Sequence, residues 1–337
     1  MDREVLVLRA RVLQLIRDFF RDSGYLEVEV PLLTPAPIPE HSIELFQTDY
    51  IDRYDASHRL FLTPSPEIYL KRLLAEGVGN LFCLSKAFRN VEQQGAQHHP
   101  EFTMLEYYTV DADYRDSLRV TRDLLVHILG VAGTELRAFR QARGRPPAPP
   151  WWDWFSPPPG ADCPGPLIPG ATLRELFGRC AGEDLDALIP EQKGVDKTTG
   201  FEVLFHKLLL EKIEPCIPRD DPYVLWDYPS ALRTLATETS DPRYAQRWEL
   251  YIEGMELANC FTEEVDPKAI EAYFGDEAPL LEEVRVPRPV DFSYPSIFEH
   301  VPPCSGVALG VDRLVALLVG EKSIKQVMYS SISDIIE

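Results

Sequence analysis

No stretch of this chain leaves less freedom to the fold than Leu81 to Tyr108, LFCLSKAFRNVEQQGAQHHPEFTMLEYY. Leu81 to Phe88 is rich in apolar and aromatic residues, and Glu101 to Tyr108 alternates with period two, so the stretch reads as two strands joined by a polar loop. In the second strand Phe102, Met104, Glu106 and Tyr108 share one face, while Thr103, Leu105 and Tyr107 share the other. A carboxylate and a phenol beside an aromatic ring suit a pocket wall. The first strand runs out at Phe88-Arg89-Asn90, which delivers a guanidinium where the loop begins. Its planar fork can give a phosphate two hydrogen bonds at once. On alternation alone, a surface hairpin with a solvated arginine reads equally well.

The same reading extends along the chain. A helical stripe (Val12, Leu15, Ile16, Phe19, Phe20) predicts a helix from Arg9 to Ser23, broken by Gly24. A strand follows from Tyr25 to Val30, halted by Pro31, and then a loop from Thr34 to Tyr50. Ser65-Pro66-Glu67 opens a helix, where proline is tolerated and Glu67 favours the dipole. Ser117 to Val131 and Phe201 to Ile213 read as helices, and Tyr223 to Tyr228 as a short strand. Residues 143–170 hold too many prolines for regular structure, so they predict an irregular excursion that Trp151, Trp152 and Trp154 pack onto the body. Thr172 and Glu175 form a capping box.

Arg247 to Glu263, RWELYIEGMELANCFTE, predicts a hairpin turning at Glu253-Gly254. Tyr251 then faces Glu256, with Glu249 one diagonal away on the same face. Two such carboxylates at ~4 Å and an effective dielectric of ~20 repel by roughly 4 kcal/mol. A hard cation carrying phosphate oxygens would relieve this, and a solvated edge hairpin reads as well. Asn259 and Glu263 have the opposite parity to Glu256, so a shared pocket requires a bulge or bend between 256 and 259. Finally, in CSGVALGVDRLVALLVG small residues at 306, 308 and 310 let the backbone pass close to a ligand. Asp312-Arg313 then opens an apolar helix and brings a second guanidinium.

Composition excludes several classes. The 337 residues carry a net charge of -20, which argues against a nonspecific nucleic-acid surface. The six cysteines are scattered without a CxxC, as in a reduced, cytoplasmic protein. No signal peptide and no run of membrane-spanning length is evident, so the expectation is a soluble protein without membrane contact. The Gly-rich phosphate loops GxxxxGK[ST] and strand-GxGxxG are missing.

Taken together, FRN…HHPEFTMLEYY, GMELANCFTEE and SGVALGVDR resemble the motifs of class II aminoacyl-tRNA synthetases, most closely the lysine-type subgroup. Tyr25 to Pro31 then stands as the dimer-forming first motif. The likeness spans about Arg9 to about Val327, and the Pro/Trp segment 143–170 lacks a counterpart. It implies an α+β fold, an antiparallel sheet flanked by helices, as one catalytic domain over 1–337. Lysyl-tRNA synthetases carry an anticodon-binding barrel before this core, and here the first motif comes within a few residues of the start. Such a core is similar to the elongation factor P–lysine ligase family, as CSGVALGVDRLV, PEFTMLE and ELAN suggest. Those enzymes activate (R)-β-lysine with ATP and attach it to a lysine of elongation factor P. Ala308 stands where lysyl-tRNA synthetases carry glycine, which in that family accompanies the β-amino acid.

Carried over residue by residue, the resemblance implies that Arg89 grips the α-phosphate and Arg313 the γ-phosphate, with Phe102 and Arg313 sandwiching adenine. Asn90, Glu92, His98, Leu257 and Gly310 complete the ATP site. Glu249 and Glu256 hold Mg²⁺, and Glu256 joins Arg89 and Arg313 as catalytic residues. Glu67, Glu106, Tyr108 and Glu263 surround the substrate's side-chain end, with Asn259, Ser65 and Ala308 nearer its head. The implied partners are lysine or (R)-β-lysine, elongation factor P and a second copy of the chain, rather than tRNA or a membrane. Three positions depart from the pattern: Val91 for the first Glu of FRNEE, His99 for the Asn of HNPEF, and Cys260 for the Gly of ANGF beside the substrate pocket. Glu92 or Gln93 stand where compensation for Val91 would come from. The rival readings are a synthetase-like enzyme acting on tRNA or another amine, and a non-catalytic regulatory paralogue.

Overall fold

The computed structural model describes residues 2–92, 95–155, 168–190 and 195–336, apart from the side chains of 195–199, 333 and 335. Gln93, and 156–167 of the Pro/Trp excursion, lie outside the described residues. The chain divides into two compact units, one of Met1–Val110, Val265–Pro303 and Ala308–Glu337, the other of Asp111–Glu264 and Cys304–Val307.

In the first unit, helix α1 spans Arg3–Asp22 and buries Val5, Leu8, Val12, Leu15, Ile16 and Phe20. It starts earlier than the stripe from Arg9 predicts, because Asp2 accepts a hydrogen bond from the Glu4 N–H and Val5 and Leu8 extend the buried face. Strand β1 (Leu26–Glu27) is shorter than the predicted 25–30 strand and pairs in parallel with β5 (Leu81–Phe88). Between them lie β2 (Leu33–Thr34), β3 (Gln47–Ile51) and β4 (Ser57–Leu62), an antiparallel sheet in the order β2-β4-β3. All of β3 is exposed, so no alternation of burial marked it, and it falls where the sequence predicts loop. Helix α2 runs Glu67–Ala75 from Pro66, as Ser65-Pro66-Glu67 predicts.

The predicted central hairpin is present. β5 pairs antiparallel with β6 (Glu101–Val110), from Leu81 opposite Tyr108 to Phe88 opposite Glu101. Tyr107 lies 4.8 Å from the Phe20 ring of α1 and Phe82 stacks on Phe20 at 4.9 Å, so the Thr103–Leu105–Tyr107 face meets the core. The opposite face carries Phe102, Glu106 and Tyr108, of which Glu106 and Tyr108 are buried.

In the second unit, helix α3 (Tyr114–Ala142) starts at an Asp113/Asp116 capping box and packs on strands β9 (Tyr244–Ile252) and β10 (Met255–Thr262). It is longer than 117–131 because its buried face continues through Leu136, Phe139 and Arg140. Trp151, Trp152 and Phe155 are buried, and Arg137 and Arg140 lie 4.9 and 5.7 Å from the Trp152 ring, while Trp151–Trp154 forms a short helix where the sequence predicts irregular structure. β7 (Gly170–Thr172) leads into the Thr172/Glu175 capping box and runs parallel to β8 (Tyr223–Pro229). The sheet order here is β10-β9-β8-β7, antiparallel except at β7–β8. The predicted 201–213 helix is α-helical over Val195–Leu208 and continues in wider π-helical turns to Ile213. Its Phe201 and Phe205 join Leu173, Phe177, Tyr228 and Tyr251 in the core of this unit.

Strand β11 (Cys304–Gly310) contributes 304–307 to the second unit and 308–310 to the first, and feeds the helix Val311–Val319. Helices lying on mainly antiparallel strands make each unit α+β, as expected. Among the described residues no helix is long and apolar enough to cross a membrane.

Candidate active site

In the first unit the hairpin fixes Arg89 by its backbone. The Arg89 N–H donates to the Pro100 carbonyl at 2.9 Å, closing the β5–β6 ladder just where the strands part. The side chain then lies over the Phe102 ring, 5.4 Å from its centroid. Its Nε is buried and finds no hydrogen-bond acceptor among the described residues. An enclosed guanidinium with an unmet donor is suited to an incoming anion. Asn90 holds the turn: its N–H and Nδ2 donate to the carbonyls of Glu44 (2.7 Å) and Leu45 (3.2 Å), and its Oδ1 accepts from the Val91 N–H (2.9 Å). Val91 is exposed at φ 58, a left-handed conformation that a β-branched residue enters only under strain.

The second arginine is built differently. Arg313 donates from Nε to the Gln97 carbonyl (3.2 Å) and from Nη2 to His98 Nε2 (3.0 Å). Burial and then the Arg313 charge lower the His98 pKa, which keeps the imidazole neutral and able to accept. Glu92 lies 3.8 Å from His98 Nε2. Beneath the arginine, Asp312 pairs with Arg9 at 2.6 Å and accepts from the Thr103 N–H at 2.7 Å, which ties the helix start to α1 and β6. A Cβ at Gly310 would lie 3.4 Å from the Arg313 side chain. Arg89, Phe102, Glu92, His98 and Arg313 thus lie around one loop.

On the opposite face of β6, Glu106 is buried and accepts from the Tyr108 hydroxyl at 2.8 Å. Burial, and then the Glu106 charge, push the facing Cys83 thiol up to about 12. Glu67 accepts from Lys71, a fully buried ammonium, at 2.6 Å. Ser65 and Ala308 are both part-buried.

The second unit carries the other carboxylates. Glu253 and Gly254 turn the β9–β10 hairpin at φ 54 and 75, and Tyr251 faces Glu256 as predicted. The register shifts between Glu256 and Ala258, which makes Leu257 the residue of a bulge, where the parity argument required one. Asn259 therefore pairs with Glu249, and Arg247, Glu249, Tyr251, Glu256 and Asn259 share one face. Glu263 is buried, and its N–H donates to the Cys304 carbonyl at 2.9 Å.

Arg247 is a residue that the sequence reading passed over. Its Nη2 donates to Glu249 Oε1 at 2.6 Å, its Nε to Asn259 Oδ1 at 3.3 Å, and its guanidinium lies 4.2 Å over the Tyr228 ring. Burial by itself would lower the Arg247 pKa, but Glu249, Tyr228 and Glu256 hold it above the usual value. Glu249 also accepts from the Tyr251 hydroxyl at 3.0 Å. The repulsion expected between Glu249 and Glu256 is thus relieved first by a guanidinium two residues away on the same face. The signal was the R-x-E spacing, which puts both groups on one side of a strand. The donor set still suits Mg²⁺: two carboxylates leave room for phosphate oxygens, which is how this ion is commonly held. Among the described residues no three His, Cys, Asp or Glu side chains converge on a metal position.

Two of the departures have structural roles. His99 is buried between the Glu101 carbonyl, to which Nδ1 donates at 2.5 Å, and the Ile332 N–H, which donates to Nε2 at 2.7 Å. Cys260, expected beside the substrate pocket, points the other way: it pairs with Trp248, opposite in face to Asn259, and meets Ser305 Oγ at 3.3 Å. Strand alternation decides this, since neighbours 259 and 260 cannot share a face.

A family model for class II tRNA synthetases (D, K and N) matches residues 2–331. The chain is 36% identical over 324 residues to the elongation factor P–(R)-β-lysine ligase of Vibrio cholerae, covering 95% of this chain and 92% of that protein. It is 35% identical over 327 residues to the protein of the same name from Yersinia enterocolitica, and 34% identical over 327 residues to that from Hamiltonella defensa. In both, 96% of this chain and 93% of the relative are covered. The chain therefore belongs to the class II tRNA synthetases of the D, K and N type.

Proposed function

We propose that this protein is an ATP-dependent ligase that activates (R)-β-lysine as the aminoacyl-adenylate and transfers it to a lysine side chain of elongation factor P. The observation that carries the reading is the Arg89 guanidinium, laid over Phe102 with a buried Nε that lacks an acceptor among the described residues. It is supported by the relatives, whose names carry that substrate and that acceptor.

The chemistry follows from positioning and charge. Arg89 is assigned the α-phosphate and Arg313 the γ-phosphate, with adenine between Phe102 and Arg313. Asn90, Glu92, His98, Leu257 and Gly310 complete the ATP contacts. Glu67, Glu106, Tyr108 and Glu263 are assigned the ammonium-bearing end of the amino acid, and Ser65, Asn259 and Ala308 its head. The substrate carboxylate attacks the α-phosphorus in line, pyrophosphate leaves, and Arg89 offsets the charge that develops. Mg²⁺ held by Glu249 and Glu256 would neutralise phosphate oxygens. No protein nucleophile is needed, because the acceptor amine opens the adenylate directly. The protein acts in the cytoplasm as a homodimer formed through Tyr25 to Pro31, in which Leu26 is 53% exposed.

Amino-acid-dependent ATP–pyrophosphate exchange tests it, with (R)-β-lysine, α-lysine and the other amino acids compared. Exchange is expected with (R)-β-lysine, followed by modification of elongation factor P, and about 10²-fold or greater loss in Arg89→Ala and Arg313→Ala. Full exchange activity in either variant, or exchange with an unrelated amino acid only, would overturn it.

A further inference from the structure

A cavity of about 420 Å³ lies in the second unit, between the first turns of α3, the edge strand β7 and the end of β8. Its size falls within the range of about 300–1,000 Å³ common for small-molecule sites. It is on the reverse of the sheet that carries Glu249 and Asn259. Trp226 in its wall pairs with Trp248, which in turn pairs with Cys260, and the Trp248 indole N–H donates to the Tyr114 carbonyl. By strand alternation these residues face away from Glu249 and Asn259.

The polar groups of the cavity are set by a bulge. The β8–β9 register shifts between Trp226 and Tyr228, which makes Asp227 the bulge residue, at φ 58. A bulge re-aims a side chain, and a non-glycine residue at positive φ is strained backbone of the kind that functional sites hold. The Tyr114 hydroxyl donates to Asp227 Oδ1 at 3.0 Å and accepts from Arg115 Nη2 at 3.4 Å. One phenol thus stands between a carboxylate and a guanidinium, and neither makes an ion pair among the described residues. Burial raises the Asp227 pKa, with the Tyr114 hydrogen bond and the Arg115 charge opposing the rise. The other charges at the cavity are already engaged, Glu175 by its capping box and Arg119 by Asp116.

The remaining walls are apolar. Tyr114 and Trp226 meet edge to face at 5.4 Å, and Leu118 and Ile168 are buried beside them. The Trp226 indole can lie against β7 because Gly170 has no side chain: a Cβ there would come within 2.7 Å of Nε1.

We propose that this cavity binds a free α-amino acid with an apolar side chain, its ammonium on Asp227, its carboxylate on Arg115 and its side chain against Trp226, Leu118 and Ile168. An anion or a cation alone would leave one of the two facing charges unmatched, whereas a zwitterion answers both. The apolar walls add the gain of removing hydrocarbon from water. The inference is independent of the ligase reading.

Isothermal titration of the full chain tests it with leucine, isocaproate and isoamylamine. The last two keep the leucine carbon chain and lack its ammonium and its carboxylate, respectively. Leucine is expected to bind with a Kd of about 0.1–1 mM, and each half at least about tenfold more weakly. Asp227→Asn keeps an oxygen for the Tyr114 hydroxyl and suits a positive φ, so the fold is retained while the charge is lost. Arg115→Gln changes an exposed side chain. Each variant should weaken leucine binding about tenfold or more at an unchanged urea midpoint. Leucine binding unchanged in both variants would overturn the proposal. So would isocaproate binding as tightly as leucine, which would mark a plain anion site, or no heat from leucine up to about 10 mM.

Discussion

At the scale of single residues, two arginines show how similar chemistry is put to different ends. Arg89 keeps a buried Nε without an acceptor among the described residues, whereas Arg247 is enclosed by Glu249, Asn259, Tyr228 and Phe261. The Arg247–Glu249 pair is nearly out of water, with side-chain exposures of 16% and 9%. Removing one partner of such a pair strands the other's charge. Arg247→Met should therefore cost about 3–5 kcal/mol, read by urea unfolding, and Arg247→Met/Glu249→Gln should regain most of the loss. Recovery in the double variant separates a stranded charge from lost packing. Val91 has no buried role: it is half exposed and strained, and the glutamate expected there has no counterpart on its side chain.

At the scale of elements, the β9–β10 hairpin couples a turn to a site. Glu253 and Gly254 both have positive φ, the type I′ geometry whose twist suits two antiparallel strands. From that turn the register is set, Glu256 faces Tyr251, and the bulge at Leu257 brings Asn259 opposite Glu249. Gly254 is at φ 75, and a Cβ there would approach the Arg219 guanidinium at 3.4 Å. Gly254→Ala is expected to destabilise the protein by about 1–2 kcal/mol, seen as a lower urea midpoint at unchanged slope. A changed slope would mean instead that the hairpin had slipped. Much of this element was legible, because Glu-Gly between alternating runs is a local signal. So was the need for a bulge, which followed from parity alone.

At the scale of the whole molecule, acidity connects fold and function. The chain carries a net charge of -20, so gathering carboxylates in its folded units has to be offset group by group. Lys71 on Glu67 and Arg247 on Glu249 do this, whereas Glu40 has no ion pair among the described residues and feels Arg89 and Arg288 only at longer range. Its raised pKa has a defined sign in stability. Between pH 4.5 and about 7 the folded chain keeps a proton on Glu40 that the unfolded chain has released, so stability falls as pH rises through that window. The full effect is on the order of 3 kcal/mol. Urea unfolding of wild type and Glu40→Gln at pH 5 and pH 8 should show the extra fall in the wild type alone. Parallel curves would mean that Glu40 titrates normally in the folded state.

The sequence by itself determined the elements whose signals are local: the Leu81–Tyr108 hairpin, the start of α2 at Pro66-Glu67, the Glu253-Gly254 turn and the Gly310–Arg313 helix start. Each is written in period, in turn residues or in a motif of adjacent positions, so short-range physics suffices to read it. Only the tertiary structure decided which charges meet. Glu40 lies far in sequence from Glu277 and Arg288, and Asp312 from Arg9; no periodicity records such encounters. The exposed strand β3 follows the same rule, since it depends on what packs against a strand as well as on the strand itself. Ion pairing and burial act through space, and the order of residues along the chain constrains them only once the chain has folded.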